Sequence, residues 1–423
     1  MMVRITPLQL PIKRSAIIRN IAYLFSGTTL SQGLTAIALL LTARQLGPES
    51  YGQYSASIVL MGLISIFYNL GLNIWFIHES NRQPERMSIF LGSALAIKFA
   101  FGVAWVLAVY VLSEIYYNSV FPKDLLRITA MVVFLDNLFL TLLTAFKASL
   151  RNHLTSIFLI LSDTVWVIST IYLVGQEYRQ ASDFMLMRVI VLLVSLVIAG
   201  FLVYYWYQPK VNLGALKQAF HQTLSYAVSE FLTMSAMRID LLIVAFYLGK
   251  TAAGLYSPAV SLVNALFMPI NAISLVFLPV LSSLFAKNIS QAWKTARRSF
   301  WLHAGAGAIL TLGVAAGAKY LVAFLGPKYG GSLEIIYILS SIICIHALIF
   351  ALTNILIATS QQSQRALLQL IAVALNIILN IAVVNIAGIR GVAFVYLVTE
   401  IFLLFTYAIV VIRNYPRGLP VHA

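Results

Sequence analysis

Apolar runs of about twenty residues, divided by short polar stretches, recur from one end of the chain to the other. That is the pattern of helices that cross a bilayer. It predicts twelve helices, at about 19–43, 55–77, 88–112, 128–146, 154–174, 184–206, 223–248, 256–284, 299–324, 333–358, 366–385 and 391–412. The polar gaps include a loop at 114–127, a basic turn at 147–153, a basic linker at 208–222 and a loop carrying Lys287, Lys294, Arg297 and Arg298. Pro269 and Pro279 fall inside the eighth helix and are expected to kink it. The first apolar run is long and lacks a small-residue cleavage site, so it reads as a retained helix.

The pattern contains a duplication. LGPESYGQYS (Leu46–Ser55) returns 202 positions later as LGKTAAGLYS (Leu248–Ser257), with Leu, Gly, Gly, Tyr and Ser matched. Glycines of such turns permit tight reversals, and Tyr54 and Tyr256 are expected as anchors at the membrane–water interface. Six helices precede the second copy, an even number, so both halves enter the membrane in the same direction. Repeats of that kind are related by an axis along the membrane normal. The expected architecture is therefore all-α, with a six-helix lobe at 1–207, the linker at 208–222 and a second lobe at 223–423. The substrate path is expected between the lobes.

Composition agrees. Hydrophobic residues make up 61% of the 423 and charged residues 10%, against about 25% charged in soluble domains. There is no room for a sizeable soluble catalytic domain. The net charge of +15 reads as cytoplasmic loops, and as a fit to an anionic head group, not as nucleic-acid binding. Seventeen Lys and Arg lie on the side of the termini and nine on the other, with Lys98 and Arg238 inside helices. The bias places both termini in the cytoplasm. The lone Cys344 excludes an internal disulfide, and the six histidines show no metal spacing. Gly249-Lys250-Thr251 lacks the upstream glycine frame of a phosphate-binding loop. No nucleophile–base constellation or cofactor motif is present, so an enzyme is not expected.

Candidate chemistry lies in the intramembrane charges. Each costs about 2.5–3.5 kcal/mol on insertion scales, and such residues mark pathways or pairs. The seventh helix carries Glu230, Arg238 and Asp240. Arg238 and Asp240, two apart, point to nearly opposite sides and cannot pair with each other. Positions 28, 36 and 38, their counterparts in the first half, are Thr28, Ala36 and Ala38, so the charges belong to one half only. Lys98 either meets phosphate as a point charge or snorkels to the boundary. Glu230, Asp240, Asp136, Asp163 and Glu400 are candidates for ion coupling, with structural ion pairs as the plainer reading. Asn376 and Asn380 share a helix face.

Taken together, RNIAYLFSGTTLSQG, LGPESYGQYS, the Arg238-x-Asp240 helix running into LGKTAAGLYS, and LNIILNIAVVNIAGIRGVAFVYLVTE (Leu375–Glu400) resemble the polysaccharide transporters of the multidrug/oligosaccharidyl-lipid/polysaccharide exporter superfamily, of the O-antigen flippase (Wzx-like) type. The resemblance spans the chain. It implies two six-helix bundles in alternating access and transfer of an undecaprenyl-pyrophosphate-linked oligosaccharide across a bacterial cytoplasmic membrane. It also implies membrane lipids, a polysaccharide polymerase and a chain-length regulator as partners. Arg238 and Lys98 would then neutralise pyrophosphate. A drug or cation antiporter of the same superfamily, or a membrane scaffold of a glycan-assembly complex, stays open. The peptidoglycan-precursor flippase branch usually resembles fourteen helices, against twelve here.

Overall fold

The computed structural model describes residues 14–414. Arg4, Lys13 and Arg417, counted in the charge bias, lie outside them. The described residues form twelve α-helices: α1 (Arg14–Ile64), α2 (Ile66–Asn69), α3 (Leu72–Arg82), α4 (Met87–Leu112), α5 (Lys123–Ala148), α6 (Asn152–Gly175), α7 (Ala181–Tyr207), α8 (Leu213–Gln222), α9 (Leu224–Lys287), α10 (Ile289–Leu325), α11 (Ser332–Ala358) and α12 (Gln362–Asn414). Helices satisfy every backbone group within one segment, which an apolar solvent demands.

These helices are not the twelve crossings one for one. Among the described residues nine stretches are long and apolar enough to span a membrane. Three of them, of 48, 50 and 52 residues, are more than twice the roughly 20 a crossing needs. Each of these is broken at one glycine: Gly47 (φ 71°), Gly249 (φ 83°) and Gly388 (φ 59°). Six single and three double stretches make twelve crossings, six before α8 and six after it. The chain is an all-α, multi-pass membrane protein of the predicted class.

The duplicated turns are shorter than the sequence led one to expect. Instead of ten-residue loops, helical geometry resumes directly after Gly47 and Gly249. A positive φ with extended ψ is open to glycine and strained for other residues, so one residue reverses the chain. Pro48 follows at the first helical position, where its missing N–H costs nothing. Pro258, Pro269 and Pro279 all sit at helical dihedrals within α9, whose only non-helical residue is Gly249.

The chain divides into two compact units. One comprises residues up to Leu46 with Gln53–Ser235; the other comprises Gly47–Gly52 with residues from Ala236 on. In the first, α5 is the most enclosed crossing, bordered by α3, α4, α6 and α7. In the second, α11 is the most enclosed, packed against α10 and α12. Each is the fourth crossing of its half.

Within the second unit the two turn copies grip each other reciprocally. A Cβ on Gly52 would lie 1.7 Å from the Lys250 carbonyl oxygen, and one on Gly254 would lie 1.7 Å from that of Pro48. Gly52 and Gly254 are repeat counterparts, as are Pro48 and Lys250. Lys250 also pairs with Glu49 at 2.7 Å. The obstructing atoms are backbone, so neither side can yield by a rotamer change. Gly52→Ala and Gly254→Ala are each expected to destabilise the fold by about 1–3 kcal/mol, the overpacking range. Thermal unfolding in detergent checks this, and an unchanged midpoint for both variants would contradict the packing.

Three further details depart from the sequence reading. Tyr54 and Tyr256 are 1% and 0% exposed, so they are core residues and not interfacial anchors. The expected linker contains α8, capped by the Asn212 side chain accepting from the Ala215 N–H at 3.2 Å. Its Ala215 and Ala219 are buried four apart, and Gln218 and Gln222 bond Glu79 and Trp75 of α3. Finally, the basic loop before the ninth crossing is already helical from Ile289, because Asn288 caps it through the Gln291 N–H.

Candidate functional site

In the first unit the predicted helix 55–77 is broken near its middle. Leu70 (φ 49°) and Gly71 (φ 66°) are both left-handed, separating α2 from α3. Gly71 is required there: a Cβ would lie 2.6 Å from the Tyr226 Cβ of α9. Broken membrane helices turn polar groups inward and build sites. Here Tyr68, Asn69 and Asn73 flank the break. Asn69 Nδ2 donates to Glu230 Oε1 at 3.0 Å, and Asn137 Nδ2 donates to the Tyr68 hydroxyl at 3.0 Å.

Lys98 belongs to this cluster. It does not snorkel: it is 0% exposed. Its ammonium donates to Thr141 Oγ1 at 2.8 Å and to Asn73 Oδ1 at 3.1 Å. Glu230 is the acidic group whose charge acts on it. Lys98 and Glu230 thus both belong to the polar groups around this break, each with its own hydrogen-bond partners, and Lys98 reaches no solvent.

Asp136 and Asp163 are brought together by Arg188, one of the nine cations that the charge count placed on the far side. Arg188 sits about two turns into α7, 13% exposed, and pairs with Asp163 at 3.2 Å and with Asp136 at 3.6 Å. Its guanidinium lies 4.2 Å from the centre of the Trp166 ring. Ser31 donates to the second oxygen of Asp163. Arg188 therefore joins Lys98 and Arg238 as an intramembrane cation. The signal for it was the presence of two intramembrane carboxylates with no named partner.

In the second unit Arg238 and Asp240 part as helical geometry requires. Asp240 is buried and accepts from Asn380 Nδ2 at 2.7 Å. The other hydrogen of that amide reaches Asn376 Oδ1 at 3.0 Å, and Asn376 Nδ2 reaches Thr399 Oγ1 at 3.3 Å. The buried Asn380 Oδ1 has no partner. Next to Thr399, Glu400 Oε2 lies at hydrogen-bond distance, 2.8 Å, from His346 Nδ1. The imidazole stacks on Phe267, 4.0 Å between centroids at 12°, with Phe350 edge-on at 4.7 Å. His346 carried no local signal of this role, since it stands 54 positions from its partner. This cluster can hold or pass a proton, or supply carboxylate and amide oxygens to a cation.

Arg238 is different from every other charge in the set. It lies in the membrane-crossing stretch Arg238–Lys287, yet its side chain is exposed. Among the described residues it has no ion-pair or hydrogen-bond partner. No cluster of His, Cys, Asp and Glu able to hold a metal ion occurs among the described residues.

Comparison with known proteins places this geometry. No curated protein sequence matches the chain. Solved structures match along nearly its whole length. A multidrug resistance MATE family transporter of the MOP superfamily in an inward-facing conformation aligns with a TM-score of 0.78 at 11% identity, over 93% of this chain and 96% of that one. An outward-facing structure described in the same terms aligns at 0.67 and 12%, over 96% and 97%. A MOP superfamily transporter from Pyrococcus furiosus, described as having a binding pocket of reverse polarity, aligns at 0.64 and 12%, over 97% and 100%. At such identities the likeness establishes the fold. Residues 41–292 match the family model described as polysaccharide biosynthesis protein, and that is more than half of the chain. The chain therefore belongs to the polysaccharide biosynthesis protein family, built on the fold of the MOP superfamily transporters.

Proposed function

We propose that the protein moves an undecaprenyl-pyrophosphate-linked oligosaccharide across a bacterial cytoplasmic membrane, with Arg238 meeting the pyrophosphate. The observation that carries this is Arg238, an exposed residue in a membrane-crossing stretch with no ion-pair or hydrogen-bond partner among the described residues. Charged side chains of membrane-crossing helices almost always face water, protein or a ligand and not lipid. Arginine's planar fork matches phosphate oxygens two at a time. The family match supports a glycan substrate. In this reading the lipid tail stays in the bilayer while the anionic head passes Arg238.

The other charges take separate parts. Lys98, enclosed by Asn73 and Thr141, reaches phosphate only if the break at Gly71 opens; with Glu230 it keeps that break polar and neutral. Asp136 and Asp163 hold Arg188. Asp240 and Glu400, with His346, couple turnover to an ion gradient. Six crossings per half and the cationic bias of the even-numbered loops support cytoplasmic termini. A polymerase and a chain-length regulator would receive the delivered units.

A second reading has its own support. Two of the three solved structures above are described as multidrug resistance transporters, and the buried carboxylates of the second unit would suit cation exchange. Inverted membrane vesicles separate the two. Uptake of radiolabelled lipid-linked oligosaccharide above that of vesicles lacking the protein is the expected result. Movement of a cationic dye without movement of the glycan lipid would favour the antiporter. Movement of neither would leave the scaffold.

A further inference from the structure

One end of the second unit carries cations that the protein leaves without counter-charges. Six of them, Lys287, Lys294, Arg297, Arg298, Arg365 and Arg413, lie at the end of α9, the start of α10, the start of the first arm of α12 and the end of its second arm. A single apolar cluster ties these helix ends together: Phe285 of α9, Ala292 and Ala296 of α10, Leu356 of α11, and Ala372 and Val411 of α12 all belong to it. Burial of Ala292, Ala296 and Ser299 on one stripe of α10 turns Lys294, Arg297 and Arg298 outward. Arg365 is half-buried and the other five are exposed.

No Asp or Glu occurs in 287–298, 358–370 or 408–414. Among the described residues none of the six cations has an ion-pair partner. At the other end of the same helices two of the four cations are paired, Lys250 with Glu49 at 2.7 Å and Arg390 with Glu334 at 2.5 Å, while Lys319 and Lys328 are not. The far end pairs half of its cations; this one pairs none and leaves its charge for something outside the chain.

The surroundings say what that is. α10 has 37 residues, about 55 Å at 1.5 Å per residue, against a hydrocarbon layer of about 30 Å. Its basic first turns therefore have the length to reach beyond the apolar layer. Just past them Trp301 is 67% exposed, and Ile412 and Leu367 show 67% and 58% of their surface beside Arg413 and Arg365. Exposed apolar and indole surface directly next to a cationic rim is the profile of the headgroup depth.

We propose that this end of the second unit binds the anionic phospholipid headgroups of the leaflet it faces. The rim is a lipid-binding surface independent of the transported substrate, so its test does not depend on the function above. The full chain is purified and its retained lipids are read by native mass spectrometry. Its unfolding midpoint is then compared in zwitterionic vesicles and in vesicles containing phosphatidylglycerol. The wild type is expected to retain phosphatidylglycerol over phosphatidylethanolamine by roughly fivefold or more. Its midpoint should rise in the anionic vesicles, and 0.5 M salt should remove the rise. The K294Q/R297Q/R298Q variant should match the wild type in zwitterionic vesicles and lose most of the rise. Should that variant not fold, the lipid retained by the wild type decides alone. Equal retention of the two lipids, an equal rise in the variant, or stabilisation by inorganic pyrophosphate in detergent but not by phosphatidylglycerol would each overturn the proposal.

Discussion

Arg238→Ala is expected to abolish most transport while leaving the protein folded and inserted. The guanidinium has no partner within the described chain, so truncating it strands no carboxylate and opens no core. What is lost is the contact with the substrate's anion. A hydrogen bond to a charged group contributes about 1.5–3 kcal/mol, so glycan-lipid uptake into inverted vesicles should fall about ten- to hundredfold at equal protein level. Arg238→Lys keeps the charge but not the fork, and should recover part of the rate. Full activity in the alanine variant would remove Arg238 from the pathway.

Arg188→Ala should act in the opposite manner, on stability first. Here one cation lies between two carboxylates, Asp163 8% exposed at its side chain and Asp136 39%. Removing it leaves two like charges facing each other inside the first unit. Breaking a buried pair by deleting one partner costs about 3–5 kcal/mol. The variant should accumulate poorly and unfold well below the wild type in detergent. Adding Asp163→Asn to it should restore part of the loss, since the remaining carboxylate then has no repelling neighbour. A wild-type midpoint for Arg188→Ala would show that the triad is solvated and not structural.

These two arginines also mark where the sequence was legible. Arg238 and Asp240 could be placed on opposite sides from helical spacing alone, and one is exposed while the other is buried. The glycine breaks at 47 and 249 could be located from the duplicated turn. The all-α class followed from apolar run length. The rest depended on contacts between distant positions. Arg188 stands 25 positions from Asp163, and Asp240 stands 140 from Asn380; no local pattern encodes such pairs. The break at Leu70–Gly71 was hidden for a different reason. It lies inside an apolar run that a continuous helix explains equally well, and a leucine at positive φ has no sequence signal. It is held by α9 approaching Gly71 closely, which is a tertiary fact.

The single-residue reversals have a mechanical consequence. Where α1, α9 and α12 turn back, no loop lies between the two arms to absorb strain or take up slack. Each junction is a joint with two rotatable bonds, the φ and ψ of one glycine. Any swing of one arm against the other at these places must appear as a change in those two angles. The backbones of Gly47, Gly249 and Gly388 are thus three built-in gauges: isotope labels there would register a working stroke as discrete chemical-shift states.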